Sequence, residues 1–308
     1  MKNNNTAEIL TIGDEILYGQ ITDTNSQWLS CSLDAAGFRT IRKTTVGDER
    51  ETILNAFREA EERADVVLIT GGLGPTDDDL TKPCLAEYFN CEMKLHAQAL
   101  SEVASFFQSK GLELTDLNKQ QAVLPVCCDH ITNELGTAPG MWLERNGKVF
   151  VSMPGVPHEM KRMMNNYIIP RLSETFSTEV VLHRIIKTIG IGESWLSEKI
   201  APWADALPDH IRLAYLPSLG QVKLRLTASG ESRENLRMEV DAQIDSLKEY
   251  AGKYIYGYDK DEIESVLGKM LMERNLTLAV AESCTGGYLA HSITRIPGAS
   301  RYFEGGVI

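Results

Sequence analysis

The sequence is poor in the features that would take it out of the ordinary globular class, and each absence excludes something. Its six cysteines are Cys31, Cys84, Cys91, Cys127, Cys128 and Cys284, and none forms a CxxC pair. Neither a disulfide framework nor a zinc site is therefore expected. No apolar run reaches the ~18 residues of a membrane span. The opening stretch MKNNNTAEILTIGDEIL lacks a signal-peptide pattern, because its apolar run is short and is cut by Gly13 and Asp14. Positive charge is in deficit: 31 Lys and Arg face 43 Asp and Glu, a formal net charge of −12. Affinity for a nucleic-acid backbone comes mainly from clustered Lys and Arg, so nucleic acid is not an expected partner. The same balance argues against an anionic membrane surface. These readings predict a cytoplasmic protein. The two common phosphate-loop signatures are also missing, since no GK[ST] and no GxGxxG follows a strand.

What is present is an alternation of short apolar runs with amphipathic stretches, from residue 7 to about 170. AEILTIG, FRTIRKTTV, DVVLIT and VFVSMPG are strand-like, and DVVLIT is apolar enough to be covered on both faces. NSQWLSCSLDAAG is predicted to be a helix capped by Asp23, Thr24 or Asn25 and stopped by Gly37. In RETILNAFREAEERA, Ile53, Leu54, Phe57 and Ala60 share a face. HAQALSEVASFFQSKG is a further helix, and Pro157 opens another in PHEMKRMMNNYIIPRL. This order predicts an α/β domain with a mostly parallel sheet over residues 1–172. Residues 173–258 change texture to β-α-β-β-α-β, the split βαβ plan of a small α+β domain. Residues 259–308 begin a third α/β segment, and roughly 50 residues are few for such a domain. The chain is expected to stop inside it.

Ligands of parallel α/β sheets bind beyond the carboxyl ends of the strands. TIGDE, TGGLGPTDDD and MPGVPHE are delivered there, each heading toward a helix N-terminus that favours anions. Gly13, Gly71, Gly72, Gly74 and Gly155 would let backbone approach a ligand. The acidic run Asp77–Asp79 then conflicts with a phosphate, and two readings stay open. In one, Thr76 or Asp77 caps a helix and Asp78 and Asp79 oppose its dipole. In the other, Asp78, Asp79 and Asp14 hold a divalent cation that bridges carboxylates to phosphate. GDE recurs at Gly47–Glu49, where the simplest reading is a cap. Glu159 falls in a first helical turn, where acids are common. NELGTAPG, Asn133 to Gly140, is either a plain connection or a binding loop. His158 and His183 have no partner at metal-ligand spacing.

IGDEILYGQITDTN, TGGLGPTDDDLT, NELGTAPG and MPGVPHEM, in this order, resemble the CinA family of competence/damage-inducible proteins. The resemblance covers nearly the whole chain, and TGGLGPTxDD is its most specific part. It implies a three-layer αβα, molybdopterin-binding-type (MoCF) domain, a KH-like domain, and the start of a PncC-type nicotinamide-nucleotide amidase domain. For the first it implies metal-dependent cleavage of ADP-ribose to AMP and ribose 5-phosphate, with Mg²⁺, Mn²⁺ or Co²⁺ and K⁺ as a further candidate. Glu15, Asp78 and Asp79 become the expected catalytic carboxylates. Asp14, Asp78 and Asp79 become the expected metal ligands. Thr76, Asn133, Gly136, Thr137 and Glu159 join the glycines around the substrate. The KH-like segment lacks a GXXG loop and is expected to be a spacer or a dimerisation element of a homodimer. In LAVAESCTGGYLAHSITRIPGAS, the resemblance makes Ser283 and Ser300 the amidase serines, Ser300 the nucleophile. It places the phosphate of NMN at Thr285, Gly286 and Gly287. The partner residues of that serine are expected beyond Ile308, so this chain is expected not to release ammonia from NMN.

Overall fold

A computed structural model describes residues 5–76, 78–177 and 180–308. The chain divides into two compact units, Met1–Val180 and Val181–Ile308.

Unit 1 begins β1 (Thr6–Ile12), α1 (Asp14–Leu17), α2 (Thr24–Ala35), β2 (Arg39–Val46), α3 (Arg50–Arg63), β3 (Val66–Thr70) and α4 (Thr81–Tyr88). It continues with β4 (Met93–Leu95), α5 (Ala97–Ser109), α6 (Asp116–Lys119), β5 (Val123–Pro125), β6 (Asp129–Ile131), β7 (Gly140–Arg145), β8 (Lys148–Met153), α7 (Pro157–Met163) and α8 (Ile169–Thr175). The main sheet has the order β2-β1-β3-β8-β7-β6. β2, β1, β3 and β8 are parallel, and β7 and β6 add an antiparallel edge. Every residue of β3 is buried, as its unbroken apolar run requires of a central strand between two helical layers.

Two separate cores flank the sheet. One packs Ile53, Phe57 and Ala60 of α3 and Leu85 of α4 against Leu10, Ile69 and Phe150. The other packs Leu29 and Leu33 of α2 and Met160 and Met164 against Ile9, Leu68 and Val151. Fully burying one such side chain is worth about 1.5–3 kcal/mol, so alternate residues of each strand fix both layers. Asp23 caps α2 by accepting the Ser26 amide at 2.8 Å. The α3 face is the predicted one, and Pro157 opens α7 as predicted.

Three details depart from the sequence reading. The antiparallel edge formed by β6 and β7 was not anticipated. Its β7–β8 turn is Asn146–Gly147, both at positive φ, the residue pair that a two-residue hairpin favours. Secondly, α4 starts at Thr81 with Leu80 at its N-cap and no side-chain cap. Thr76 therefore caps nothing, and Asp78 and Asp79 precede the helix instead of forming its first turn. Asp77, the other cap candidate, lies outside the described residues. Thirdly, Cys91 and Cys127 form a disulfide, with Cα atoms 6.1 Å apart. The reason is the β4–β5 ladder: Met93 pairs with Pro125, the Val126 amide donates to the Glu92 carbonyl, and the next step outward sets Cys91 against Cys127. No local spacing reveals a partner 36 residues away.

Unit 2 contains β9 (Val180–Ile189), α9 (Glu193–Asp205), β10 (Ile211–Ser218), β11 (Gln221–Gly230), α10 (Arg233–Ala251) and β12 (Ile255–Tyr258). Their sheet order is β10-β11-β9-β12, which realises the predicted β-α-β-β-α-β plan. α11 (Ile263–Glu273), β13 (Leu278–Ala281), α12 (Tyr288–Thr294) and β14 (Phe303–Val307) follow. β13 and β14 pair in parallel. Among the described residues no helix is long and apolar enough to cross a membrane.

Candidate active site

The carboxyl ends of β1, β3 and β8 open into one cavity of about 470 Å³. The loops after these strands meet because their first residues are pinned to neighbouring strand ends. The Gly13 amide donates to Val46 O at 3.0 Å, and the Gly71 amide to Met153 O at 3.1 Å. Gly71 has φ 108°, and a Cβ there would collide with the Ile12 carbonyl. That position accepts only glycine, and the close approach holds the β1 and β3 loops together. Thr81 closes the β3 loop by donating its hydroxyl to Gly71 O at 2.9 Å.

Ten of the residues singled out in the sequence line this cavity: Gly13, Glu15, Gly71, Gly72, Gly74, Asp78, Asp79, Thr137, Gly155 and Glu159. Asp14, Thr76, Asn133 and Gly136 are not in its lining but adjoin carboxylates that are: Asp14 meets Asp48, Thr76 meets Asp79, and Asn133 and Gly136 meet Glu159. Asn133 donates to Ala138 O at 2.9 Å and to Glu159 Oε2 at 2.7 Å, and its Oδ1 accepts the Leu135 amide at 3.1 Å. With its hydrogen bonds so used, it shapes the NELGTA loop and aims Glu159. Gly136 is small for the same reason, since a Cβ there would strike the Glu159 carboxylate.

The aspartates divide by environment. Asp79 accepts the Gly74 amide at 2.7 Å and both the amide and hydroxyl of Thr76, at 3.0 and 2.6 Å. It braces the loop from within. Asp78 is exposed, and hydrogen bonds from Thr76 and its own amide hold its carboxyl below the usual carboxylate range. It is the member of the pair free to face an incoming cation.

Two residues missed in the sequence complete the arrangement around the β1 loop. Asp48 also lines the cavity. Its Oδ2 accepts the Asp14 amide at 3.0 Å, while its own amide donates to Asp14 Oδ1 at 3.3 Å. α3 is not capped by Asp48, because its N-cap position is Glu49. The second GDE thus serves both ends: Glu49 stands at the N-cap position of α3, without a side-chain cap hydrogen bond, and Asp48 belongs to the cavity. Burial, and then the charges of Asp14, Glu15 and Asp78, raise the Asp48 carboxyl above its ordinary range, although the hydrogen bond with the Asp14 backbone opposes this. Asn25, noted only as a possible cap, donates to Gly155 O at 2.6 Å and to Thr70 Oγ1 at 3.3 Å. It ties α2 to the β3 and β8 loops.

The oxygen donors Asp14, Glu15, Asp48 and Asp78 suit a hard divalent cation in chemistry and in charge. Among the described residues, however, no three His, Cys, Asp or Glu side chains already stand in a metal-holding cluster. A larger cavity, about 660 Å³, lies in unit 2 beside Trp195, Lys199 and Tyr254. Its lining holds Glu193 as its one carboxylate, so it lacks the acidic grouping of the first.

The serines of the last segment are not brought together. Ser283 follows the end of β13, and Ser300 precedes the start of β14. Because that pair is parallel, the two serines lie at opposite ends of it, both exposed. Thr285, Gly286 and Gly287 do form the turn into α12, but its amides already have a carboxylate. Glu282 accepts from Leu289 N at 2.8 Å and from Ala290 N at 2.9 Å.

Residues 8–174 match the family described as a probable molybdopterin binding domain. Residues 183–257 match the damage-inducible protein CinA KH domain, and residues 260–308 the CinA C-terminal domain. A CinA-like protein of Cytophaga hutchinsonii is 50% identical over 302 residues, covering 98% of this chain and 72% of that one. One of Flavobacterium psychrophilum is 44% identical over 304 residues, covering 98% of this chain and 73% of that one. The crystal structure of the protein CinA, of unknown function, from Thermoplasma acidophilum is 32% identical, with a TM-score of 0.51 over 57% of this chain and 100% of that one. With a MoCF-like α/β sheet, an antiparallel KH region and these relatives, the chain belongs to the CinA family.

Proposed function

We propose that unit 1 hydrolyses the pyrophosphate bond of ADP-ribose, giving AMP and ribose 5-phosphate, with a divalent cation held at the carboxylates around Asp48. The observation that supports this reading is the negative charge at a glycine-lined cavity: Glu15, Asp48, Asp78, Asp79 and Glu159 line it, with no Lys or Arg among its described lining residues. A cavity built only to bind a phosphorylated ligand gains nothing from such charge. When bound, a cation would offset it and polarise a phosphoryl oxygen. Asp14, Glu15, Asp48 and Asp78 would hold the cation. Asp79 keeps the loop in shape, and Gly71, Gly72 and Gly74 let the loop pack tightly against Ile12, Thr81 and Asp79, so that its backbone lines the cavity where a diphosphate would lie. Glu159, steered by Asn133, is placed to orient a water.

The test is AMP release from ADP-ribose with Mg²⁺, Mn²⁺ or Co²⁺, with and without K⁺, and with EDTA. Metal-dependent AMP, lost in Asp78→Asn, is the expected result. Nucleotide binding with no AMP under any metal would overturn it. That outcome would favour a second reading, a non-catalytic nucleotide or pterin binding module, which draws on the absence of a ready metal cluster among the described residues.

A further inference from the structure

One buried polar group at the cavity is used by nothing described so far. Gln121 lies in the short turn Gln120–Ala122 that leads into β5. It lines the same cavity as the carboxylates, yet it is only 4% exposed. Its carboxamide oxygen has no hydrogen-bond partner among the described residues. Buried polar atoms are nearly always paired, so an unpaired acceptor on a residue that lines a cavity, closed to solvent in this conformation, is one that a ligand donor would fill once the side chain turns toward the cavity.

The Gln121 backbone is tied to a neighbouring helix. Lys82, itself buried, donates to Gln120 O at 3.3 Å and to Gln121 O at 3.4 Å. Lys82 belongs to α4, the helix that follows the aspartate loop. It thus fixes the Gln121 backbone relative to the carboxylates. The surroundings are apolar: Leu73 and Ala138 line the cavity and share one packed core with Ala122. The cavity thus has apolar lining as well as carboxylates. A flat ring with a polar edge suits the first, and a metal-bound diphosphate suits the second.

We propose that the Gln121 carboxamide reads the amino-bearing edge of the ligand's adenine, accepting from the 6-amino group while its amide nitrogen donates to an adjacent ring nitrogen. A carboxamide is the side chain whose paired donor and acceptor match adenine, as glutamine does in reading that base in DNA. Gln121 is then a specificity-determining residue. The inference rests on the adenine-nucleotide reading above and adds to it the group that chooses the base.

The experiment is calorimetric binding to the full chain with Mn²⁺ present. The probes are AMP, its analogue lacking the 6-amino group (purine riboside 5′-monophosphate), and ribose 5-phosphate. Wild type should bind AMP roughly 5- to 150-fold more tightly than the analogue, the span of one good bidentate pair. In Gln121→Ala that ratio should fall toward one, with ribose 5-phosphate binding unchanged. Gln121→Leu, which keeps the volume, gives the same answer if the alanine variant does not fold. A wild-type ratio near one, or a ratio that survives both substitutions, overturns the assignment and leaves the hydrolase reading standing. If wild type binds neither nucleotide, the nucleotide reading falls, and this inference falls with it.

Discussion

Asp14 and Asp48 hold each other by reciprocal hydrogen bonds, the carboxylate of each accepting the other's backbone amide, at 3.0 and 3.3 Å. They follow β1 and β2, whose register sets Ile12 beside Val46, so the two GDE segments leave the sheet side by side. A paired geometry between two like charges needs something to offset the repulsion. In the absence of a cation, that repulsion is borne by the fold.

The first prediction follows from the sign of the Asp48 shift. Burial and neighbouring acids raise its carboxyl above 3.8 in the folded chain. The folded state then holds its proton to higher pH than the unfolded state, so stability falls as pH rises through and above that value. Asp48→Asn removes the charge and keeps an oxygen for the Asp14 amide. In EDTA at neutral pH the variant should melt about 1–3 °C higher than wild type. Added Mn²⁺ should raise the melting temperature of wild type and leave Asp48→Asn nearly unmoved. An equal response of both proteins to Mn²⁺ would remove Asp48 from the cation's surroundings.

The second prediction separates two adjacent aspartates that the sequence treats alike. Asp79 accepts three hydrogen bonds inside its own loop, so Asp79→Ala should destabilise unit 1 by about 1–3 kcal/mol. Asp78 is exposed, and Asp78→Asn should leave the urea midpoint close to that of wild type. The functional order should be different: Asp78→Asn should lose metal-dependent AMP release while remaining folded. Urea unfolding and an AMP assay on the same preparations decide it. Equal unfolding midpoints for the two variants would contradict the bracing role of Asp79.

How much of this was legible depends on how local each signal is. The β3 loop could be read because three glycines and the acids sit together in the chain. The reciprocal Asp14–Asp48 pair could have been suspected from the repeated GDE, but only strand order makes the copies neighbours. The Arg145–Asn146–Gly147–Lys148 turn carried a plain hairpin signal that would have revealed β7. Gln121 had no signal, because its significance is an unpaired atom at a cavity wall. Sequence also cannot tell a carboxylate that faces a ligand from one consumed by its own loop, and that is the difference between Asp78 and Asp79.

The third prediction concerns the Cys91–Cys127 disulfide, which closes the β4–β5 ladder across a separation of 36 residues. A cross-link of that span stabilises by about 2–4 kcal/mol. Cys91→Ser together with Cys127→Ser should therefore lower the urea midpoint of unit 1. Reductant should shift wild type to the same midpoint and leave the double variant unchanged. Two of the remaining cysteines are poor partners for exchange: burial pushes Cys84 up to about 11 and Cys128 up to about 12, so neither offers much thiolate. A wild-type midpoint indifferent to reductant, with free thiols counted at six in both conditions, would show that the bond does not form in solution.

The fourth prediction tests how Lys82 supports the Gln121 turn. Burial pulls its ammonium from 10.5 down to about 8, opposed by the charge of Asp79. Below about 8 the folded and unfolded chains both carry the proton, and the cost of burying the charge is fully present. Between about 8 and 10.5 the folded chain has released the proton and the unfolded chain has not. The unfolded state then binds more protons, so this group makes stability rise with pH across that window. Lys82→Met keeps the apolar stem and deletes the titration. It also strands the carbonyls of Gln120 and Gln121, but the bonds it removes are long, at 3.3 and 3.4 Å. The variant should therefore be at least as stable as wild type at pH 7 and should lose that advantage by about pH 10, where wild type no longer carries the buried charge. Urea unfolding of both proteins at pH 7, 9 and 10 measures the difference. A gap between them that does not change with pH would mean that Lys82 is not charged and buried as described.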